Sequence, residues 1–239
     1  MKGIILAGGT GSRLFPLTKV TNKHLLPIGR EPMIFHPIHK LIEAGIDEIL
    51  IVTGVEHMGD VVNLLGSGKS YHCRFTYKVQ DEAGGIAQAL GLAENFAHGD
   101  KICVILGDNV FEDPITDFVE NFRIQREGAK LLIKEVPDPE RYGVAEIENE
   151  KILSIEEKPE SPKSSYCVTG IYMYDQQVFD AIPRLNPSTR GELEITDINN
   201  FYVNQGTLSY DILQGWWTDA GTFASYHLAN QLIGQQEKK

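Results

Sequence analysis

The chain begins with a short apolar segment that runs directly into a glycine-rich loop. Residues 3–7 (Gly-Ile-Ile-Leu-Ala) have the pattern of a buried strand, and residues 8–14 follow as Gly-Gly-Thr-Gly-Ser-Arg-Leu. Three glycines in four residues let the backbone turn tightly and bring its N–H groups close to a ligand. Arg13 stands at the end of this loop, and Lys23 follows ten residues later. A strand, a glycine-rich turn and two cations are typical of an α/β protein that binds phosphate chains.

The loop differs from the better-known phosphate-binding loops. It lacks the Gly-Lys-Ser/Thr ending of a Walker A loop, and Leu14 occupies the place of the third glycine in a dinucleotide fingerprint. The sequence therefore supports neither a P-loop ATPase nor a dehydrogenase. Glycines alone are equally typical of a tight turn without a ligand, but Arg13 and Lys23 favour phosphate binding.

Composition limits the class of protein. The chain has 239 residues, 42% of them hydrophobic, and a net charge of −11. One large domain is expected at this length, and an acidic surface argues against a general nucleic-acid partner. No apolar run approaches the roughly 20 residues that span a bilayer, so no membrane partner is expected. The absence of a signal peptide and the odd number of cysteines, three, predict a protein of the reducing cytoplasm.

Strand-like and helix-like segments alternate through the first half of the chain. The predicted strands are 2–7, 48–53, 74–79 and 101–106, and the predicted helices are 32–44, 60–65, 86–96 and 115–126. This alternation predicts a Rossmann-like, mostly parallel sheet flanked by helices on both faces. A ligand of such a sheet should bind at the carboxyl ends of the strands.

The second half has a different pattern. Strand-like segments with polar breaks occur at 129–136, 144–147, 151–157, 167–174 and 207–213. We expect additional, partly antiparallel strands here that form the other wall of the cleft. The chain shows no linker or repeat, so we predict a single domain over 1–239 with a nucleotide-binding half at about 1–127 and a second half at about 128–239.

Two aspartates stand at positions suited to a metal ion. Asp108 follows a buried strand in Ile-Leu-Gly-Asp-Asn (105–109), and Asp219 lies in Trp-Thr-Asp-Ala-Gly-Thr (217–222). Mg²⁺ prefers oxygen ligands and commonly takes one or two carboxylates together with substrate phosphates. An aspartate that only caps the following turn is the structural alternative for Asp108.

Gln80 and the Gly84-Gly85 pair form a candidate base pocket. Two glycines at the start of a helix let backbone groups approach a planar base, and a glutamine amide offers both a donor and an acceptor to its edge. Glutamines and glycine turns are common, so the residues alone are a weak signal.

Charged and glycine-containing segments of the second half are candidates for the opposite wall. They are Arg-Tyr-Gly-Val (141–144), Glu-Glu-Lys-Pro (156–159), Val-Thr-Gly (168–170) and Arg-Gly-Glu-Leu-Glu-Ile-Thr-Asp (190–197). A solvated charge cluster is the alternative interpretation of the second segment, and acidic residues that favour a helix dipole are the alternative for the last.

The motifs together resemble a known family. Gly-Gly-Thr-Gly-Ser-Arg-Leu-x-Pro-Leu-Thr (8–18), followed by Lys-His-Leu-Leu-Pro-Ile (23–28), is similar to the signature of the sugar-1-phosphate nucleotidylyltransferases. The resemblance extends over almost the whole chain and implies the nucleotide-diphospho-sugar transferase fold. It implies transfer of a nucleotidyl group from dTTP to α-D-glucose 1-phosphate with release of pyrophosphate, Mg²⁺ as cofactor, and a homo-oligomer.

The resemblance also implies roles for individual residues. The two metal ligands would be Asp108 and Asp219. The nucleotide would be bound by Leu6, Gly8, Gly9, Gly11, Arg13, Lys23, Gln80, Gly85 and Asp108. The sugar phosphate would be bound by Gly143, Glu157, Lys158, Val168 and Arg190. The catalytic cations would be Arg13, Lys23 and Lys158.

Two alternatives stay open at the level of sequence. Residues 81–83 (Asp-Glu-Ala) depart from the proline- and serine-containing variants of many family members, so UTP or another nucleoside triphosphate is an alternative substrate. A non-catalytic sensor of sugar nucleotides on the same fold is a second alternative. It would be expected to lack Arg13, Lys23 or one of the two aspartates, and the sequence retains all of them.

Overall fold

A nine-stranded sheet forms the centre of the computed structural model, which describes residues 1–236. The strands within these residues are β1 (Lys2–Ala7), β2 (Pro27–Ile28), β3 (Glu31–Pro32), β4 (Glu48–Gly54), β5 (Arg74–Gln80), β6 (Ile102–Leu106), β7 (Asn109–Phe111), β8 (Ala129–Glu135), β9 (Gly143–Glu148), β10 (Lys151–Glu157), β11 (Tyr166–Tyr174), β12 (Leu208–Ile212) and β13 (Trp217–Asp219). The helices are α1 (Phe35–Glu43), α2 (Met58–Leu65), α3 (Ile86–Gly91), α4 (Glu94–Ala97), α5 (Thr116–Ile124), α6 (Gln177–Ala181), α7 (Ile195–Gln205) and α8 (Phe223–Gln236).

The order of the strands separates a parallel part of the sheet from a mixed part. Strands run in the order β10-β9-β11-β6-β1-β4-β5, and β8 pairs with β11 and β12 off this path. β6, β1, β4 and β5 are parallel to one another, whereas β11 is antiparallel to β6, β8 and β9. The predicted α/β class, with a parallel sheet and added antiparallel strands, is confirmed.

Alternate residues of β1 explain why helices cover both faces of the sheet. Ile4 and Leu6 belong to one apolar cluster, which includes residues of α3, α6 and α7. Ile5 and Ala7 belong to a second cluster, which includes residues of α1, α2 and α5. Successive side chains of a strand point to opposite faces, so a strand that is apolar at every position needs cover on both sides.

The predicted helices over 60–65 and 115–126 differ from α2 and α5 by one or two residues at an end, and the other two differ more. The segment predicted as a helix over 32–44 forms α1 from Phe35, because Glu31–Pro32 instead pairs with β2. The segment predicted over 86–96 is divided into α3 and α4. Gly91 ends α3, and a Cβ at this glycine would lie 3.3 Å from Ile182 Cγ2, so the helix packs closely here. A weak helix former at a close contact accounts for the break.

A small two-stranded sheet was absent from the sequence-based prediction. β7 and β13 pair antiparallel, with Asn109 opposite Asp219. Strands of three residues carry too little periodicity to be recognised in a sequence. This pairing brings the segment after β6 next to the segment before α8, and it therefore positions both predicted metal ligands.

Two further observations concern membrane-spanning helices and the state of the cysteines. Within residues 1–236, no helix is both long enough and apolar enough to cross a membrane. The three cysteines are all free and buried.

Candidate active site

A cleft of about 370 Å³ opens where β1, β5 and β6 end. Its lining brings together most of the residues singled out in the sequence, which are Leu6, Gly8, Gly9, Arg13, Lys23, Gln80, Gly85, Asp108, Gly143, Glu157, Lys158, Val168 and Asp219. Gly11 and Arg190 do not line it. The volume falls within the range typical of small-molecule sites.

Lys23 and Asp108 form a close ion pair in the floor of the cleft. The Lys23 Nζ lies 2.6 Å from Oδ2 of Asp108, and each side chain is only 13% exposed. Burial by itself raises the pKa of the Asp108 carboxyl, but the Lys23 ammonium outweighs burial and holds this pKa well below its usual range. Asp108 is therefore an anion at neutral pH.

Asp219 converges on the same point as Asp108. A Cβ built on Gly221 would lie 3.5 Å from Oδ2 of Asp108, 3.6 Å from Oδ2 of Asp219 and 3.1 Å from Nη2 of Arg13. The two carboxylate oxygens are thus within about 7 Å of each other, with a guanidinium beside them. Because Gly221 has no side chain, a space remains here that is bordered by two carboxylates and one guanidinium.

The environment of Asp219 favours binding of a positive charge. Burial, followed by the negative charge of Asp108, raises the pKa of the Asp219 carboxyl to about 6. Arg141 lowers it, with Nη2 3.6 Å from Asp219 Oδ1, and the Tyr142 hydroxyl donates to the same oxygen at 3.4 Å. A carboxylate whose pKa is raised by a neighbouring carboxylate is stabilised in its charged form when a cation lies between the two.

The donor set fits a hard divalent cation that is shared with a substrate. In the part of the chain that the structure describes, no group of three or more His, Cys, Asp or Glu side chains could enclose a metal ion. Asp108 and Asp219 offer carboxylate oxygens, which suit Mg²⁺ when substrate phosphates and water complete its coordination. The residues present therefore fit the metal that the sequence suggested.

Asn109 connects the segments that carry the two aspartates, and sequence reasoning did not assign it a role. Its Nδ2 donates to Asp108 Oδ1 at 3.1 Å, and its Oδ1 accepts from Trp217 Nε1 at 2.7 Å and from Gly170 N at 3.0 Å. A Cβ on Gly170 would lie 2.5 Å from Asn109 Nδ2, so the amide fills the space that this glycine leaves. In the sequence, only its position directly after Asp108 indicates that Asn109 belongs to the site.

His24 lies behind the phosphate-binding loop as a neutral imidazole. Burial, followed by the positive charge of Lys23, lowers the pKa of His24 to about 3. Nδ1 lies 2.7 Å from Oδ1 of Asn22, so Nδ1 carries the proton and donates it to that oxygen. A Cβ on Gly107 would lie 2.8 Å from the ring, which packs tightly against the turn before Asp108.

One wall of the cleft is formed by Gly8, Gln80 and Gly85. A Cβ on Gly8 would lie 2.5 Å from Gln80 Oε1, so a larger residue at position 8 would displace the end of the Gln80 side chain. Gly85 has φ +98, and its Cβ would lie 2.5 Å from Leu193 O. Leu193 N donates to Gly84 O at 2.8 Å, which ties this wall to the segment that precedes α7.

The opposite wall is organised around Glu157. The Thr196 hydroxyl donates to its Oε2 at 2.7 Å, and Lys158 Nζ lies 3.6 Å from its Oε1. A Cβ on Gly143 would lie 3.5 Å from Glu157 Oε2, so exposed backbone adjoins this carboxylate. Lys158 has φ +47, a left-handed conformation that is uncommon for a side-chain-bearing residue and often marks a functional site.

Gly11 lies outside the cleft lining, and contact of its backbone with a nucleotide stays a prediction. Its φ is +62, and its carbonyl accepts from the Thr18 hydroxyl at 3.0 Å and from Leu14 N at 2.9 Å. A Cβ here would lie 2.8 Å from Thr18 Cγ2. Gly11 therefore shapes the turn after the loop, because only a glycine tolerates both this φ and this contact.

Arg190 also lies outside the lining, because three carboxylates surround its guanidinium. Nη2 lies 2.8 Å from Glu194, 3.4 Å from Glu157 and 3.8 Å from Glu192. Arg190 thus contacts the cleft through Glu157, and direct binding of a sugar phosphate by Arg190 stays a prediction.

Aromatic and polar residues to which the sequence analysis assigned no role complete the lining. Trp217 and Tyr142 meet edge to face with ring centroids 5.3 Å apart. Tyr172, Thr196 and Asn199 also line the cleft. Thr196 belongs to the segment 190–197 that the sequence analysis singled out, whereas Tyr172 and Asn199 belong to no motif that the residues alone make recognisable. The three residues reach the cleft through β11 and α7.

The sequence is similar to those of known proteins. The profile of the family described as Nucleotidyl transferase matches residues 2–236. A glucose-1-phosphate thymidylyltransferase of Neisseria meningitidis is 44% identical over 237 residues, covering 98% of this chain and 82% of that protein. The enzyme of the same name from Mycobacterium tuberculosis is 39% identical over 243 residues, with 100% and 84% covered.

Solved structures agree as well. A Bacillus anthracis protein assigned as a glucose-1-phosphate thymidylyltransferase, solved with sucrose, is 64% identical and superposes with a TM-score of 0.94, covering 97% of this chain and 94% of that one. A UDP-glucose pyrophosphorylase complexed with UDP-glucose is 24% identical, with a TM-score of 0.87 and 98% of each chain covered. The second likeness concerns the fold alone.

Proposed function

The chain belongs to the nucleotidyl transferase family, and on this premise we propose that it is a glucose-1-phosphate thymidylyltransferase. It joins dTTP to α-D-glucose 1-phosphate and releases dTDP-glucose and pyrophosphate. The observation that carries this proposal is the convergence of Asp108, Asp219 and Arg13 around Gly221. Two anions and a guanidinium, together with Lys23 on Asp108, suit a site where a metal ion and a triphosphate meet.

The two walls of the cleft support an assignment of the two substrates to the two halves of the chain. The half at 1–127 contributes the glycine loop and Gln80, which suit a triphosphate and a base. The half at 128–239 contributes Gly143, Glu157 and Lys158, which suit sugar hydroxyls and a phosphate; residues 237–239 lie outside the described part. Carboxylates accept hydrogen bonds from hydroxyls, and an ammonium attracts a phosphate.

The reaction needs little acid or base chemistry from the protein. A phosphate oxygen of the sugar phosphate is already an anion at neutral pH and attacks the α-phosphorus of dTTP. The bond from the α-phosphorus to the oxygen that bridges to the β-phosphorus breaks, and that oxygen leaves with pyrophosphate. The obstacle is repulsion between two anions, so alignment and charge stabilisation supply the catalysis.

The cations of the cleft divide this work. Arg13 stabilises the charge that develops on the leaving pyrophosphate, and Lys158 orients the attacking phosphate. Lys23 neutralises the triphosphate. Asp108 and Asp219 would hold Mg²⁺, which when bound polarises phosphate oxygens and offsets their negative charge.

Two properties of the whole protein belong to the proposal. We propose that it acts in the cytoplasm, since its three buried free cysteines suit a reducing compartment. We also propose that it forms a homo-oligomer, as the family resemblance implies.

Release of pyrophosphate tests the function directly. The purified protein is incubated with Mg²⁺, glucose 1-phosphate and, in turn, dTTP, UTP, CTP or GTP. We expect the highest kcat/KM with dTTP and a loss of about 100-fold or more in Asp108→Asn. Stronger turnover with UTP would assign a uridylyltransferase, and no turnover with any nucleotide would contradict the enzyme. Near-normal activity of Asp108→Asn would contradict the metal assignment.

A further inference from the structure

The amide of Gln80 is held by two protein acceptors. Its Nε2 donates to Gln88 Oε1 at 2.6 Å and to Gly85 O at 3.3 Å. Gln80 is 7% exposed and lines the cleft, whereas Gln88 on α3 is not among the lining residues. A primary amide nitrogen has two hydrogens, so these two contacts use its full donor capacity.

The contacts also fix which way the amide faces. A backbone carbonyl only accepts hydrogen bonds, so the Gln80 atom that faces Gly85 O must be the nitrogen. Gln88 must then turn its own oxygen toward Gln80. The contact with Gln88 is the shorter of the two, and it is the one that a change of side chain can remove.

The remaining atom of the amide is presented as an acceptor. Within residues 1–236, no donor contacts Gln80 Oε1, which lies 2.5 Å from the place that a Cβ on Gly8 would occupy. The oxygen therefore points along the cleft wall toward the glycine loop with its lone pairs free. A ligand that meets this atom must supply a hydrogen, and an acceptor placed here would be repelled.

We propose that Gln88 is a positioning residue that makes this cleft select pyrimidines with a hydrogen on N3. Thymine and uracil carry that hydrogen, whereas N3 of cytosine is an acceptor. The inference rests on the proposed function in that a pyrimidine nucleotide is taken to meet Gln80. By holding Oε1 toward the glycine loop, Gln88 favours dTTP. Without Gln88 only the longer contact with Gly85 O holds the amide, which then rotates more readily and presents its nitrogen to cytosine.

Gly84 also helps to hold the Gln88 amide in place. A Cβ on Gly84 would lie 2.5 Å from Gln88 Cδ and 2.6 Å from its Nε2, so the Gln88 amide packs directly on this backbone. Gly84 does not have a positive φ, and an alanine would meet only the end of a flexible side chain. Gly84→Ala should therefore displace the Gln88 amide while leaving Gln88 chemically intact.

Equilibrium binding of dTTP and dCTP to the full chain, measured by calorimetry without sugar phosphate, tests the inference. We expect the wild-type protein to bind dTTP more tightly than dCTP. Gln88→Met keeps the length of the side chain but removes the acceptor, and it should reduce the ratio of the dCTP Kd to the dTTP Kd by about tenfold or more. Gln88→Glu keeps an acceptor and should retain most of the ratio. Gln231→Met is the matched control, since Gln231 contacts His227 on α8 outside the cleft.

The outcomes separate this inference from the proposed function. A wild-type ratio near one, a wild-type ratio in Gln88→Met, or an equal loss in Gln88→Glu would overturn the inference. Gly84→Ala, with an expected loss in the same direction, decides the question if Gln88→Met does not fold. Absence of turnover would overturn the proposed function only, because the binding ratio does not depend on catalysis.

Discussion

Trp217 Nε1 donates a hydrogen bond of 2.7 Å to Oδ1 of Asn109, and this contact joins the two strands next to the candidate metal ligands. Asn109 follows Asp108, and Trp217 stands two residues before Asp219 on β13. The relative position of the two carboxylates therefore depends on an amide that binds no metal itself.

Replacement of Asn109 by alanine should weaken Mg²⁺ binding and destabilise the protein. The indole N–H and Gly170 N would lose their acceptor, so we expect the free energy of unfolding to fall by about 1–3 kcal/mol. The Mg²⁺ concentration that gives half-maximal activity should rise severalfold. Asn200→Ala is a matched control, because Asn200 binds the backbone of Ile155 outside the cleft lining. An equal Mg²⁺ requirement in both variants would show that Asn109 serves stability alone.

Arg13→Ala should reduce kcat by about 100-fold, as loss of a charge-stabilising donor does. Arg13 is an exposed residue at the cleft mouth, so the melting temperature of the Arg13→Ala variant should stay near that of the wild-type protein. Arg126→Ala removes another exposed arginine, outside the cleft lining, and should leave kcat unchanged. Steady-state kinetics with saturating substrates measure both variants, and a change of only a few fold in Arg13→Ala would assign Arg13 a structural role.

Lys158→Ala should chiefly weaken the use of the sugar phosphate. Its ammonium lies on the Glu157 side of the cleft, so KM for glucose 1-phosphate should rise at least tenfold while the Kd of dTTP changes little. Lys163→Ala is the control, since Lys163 pairs with Glu146 outside the cleft lining. Weaker binding of dTTP with an unaltered sugar-phosphate KM would reverse the assignment.

His24 should make the stability of the protein depend on acidity. Its folded pKa of about 3 lies below the ordinary value of 6.5, so the unfolded chain takes up a proton below pH 6.5 and the folded chain does not. The free energy of unfolding should therefore fall by about 1.4 kcal/mol for each pH unit below 6.5, until the pH nears 3.

Urea unfolding at pH 7.5 and 5.5 measures this dependence. His24→Asn keeps a donor close to the position of Nδ1 but does not titrate, so the part of the pH dependence due to His24 should disappear. His98→Asn removes an exposed histidine, which is in a left-handed conformation that asparagine tolerates, and should keep the wild-type dependence. Equal slopes in all three proteins would contradict a neutral buried His24.

The parallel strands, the glycine loop and the residue types of the cleft could be predicted from the amino-acid sequence alone. β1 was recognisable because a strand buried on both faces is apolar at every position, and the loop was recognisable because tight turns beside a ligand need glycine. These are local properties, and they are encoded within a few consecutive residues.

Which of these residues lie close together became clear from the folded chain. Asp108 and Asp219 are far apart in the chain, and their approach depends on the pairing of β7 with β13, whose three-residue strands leave no readable period. The fold also places Gly11 and Arg190 outside the cleft lining. It brings Asn109 into contact with Asp108 and Gln88 into contact with Gln80. Such contacts arise from strand order and close packing between distant segments, and no local pattern of residues specifies them.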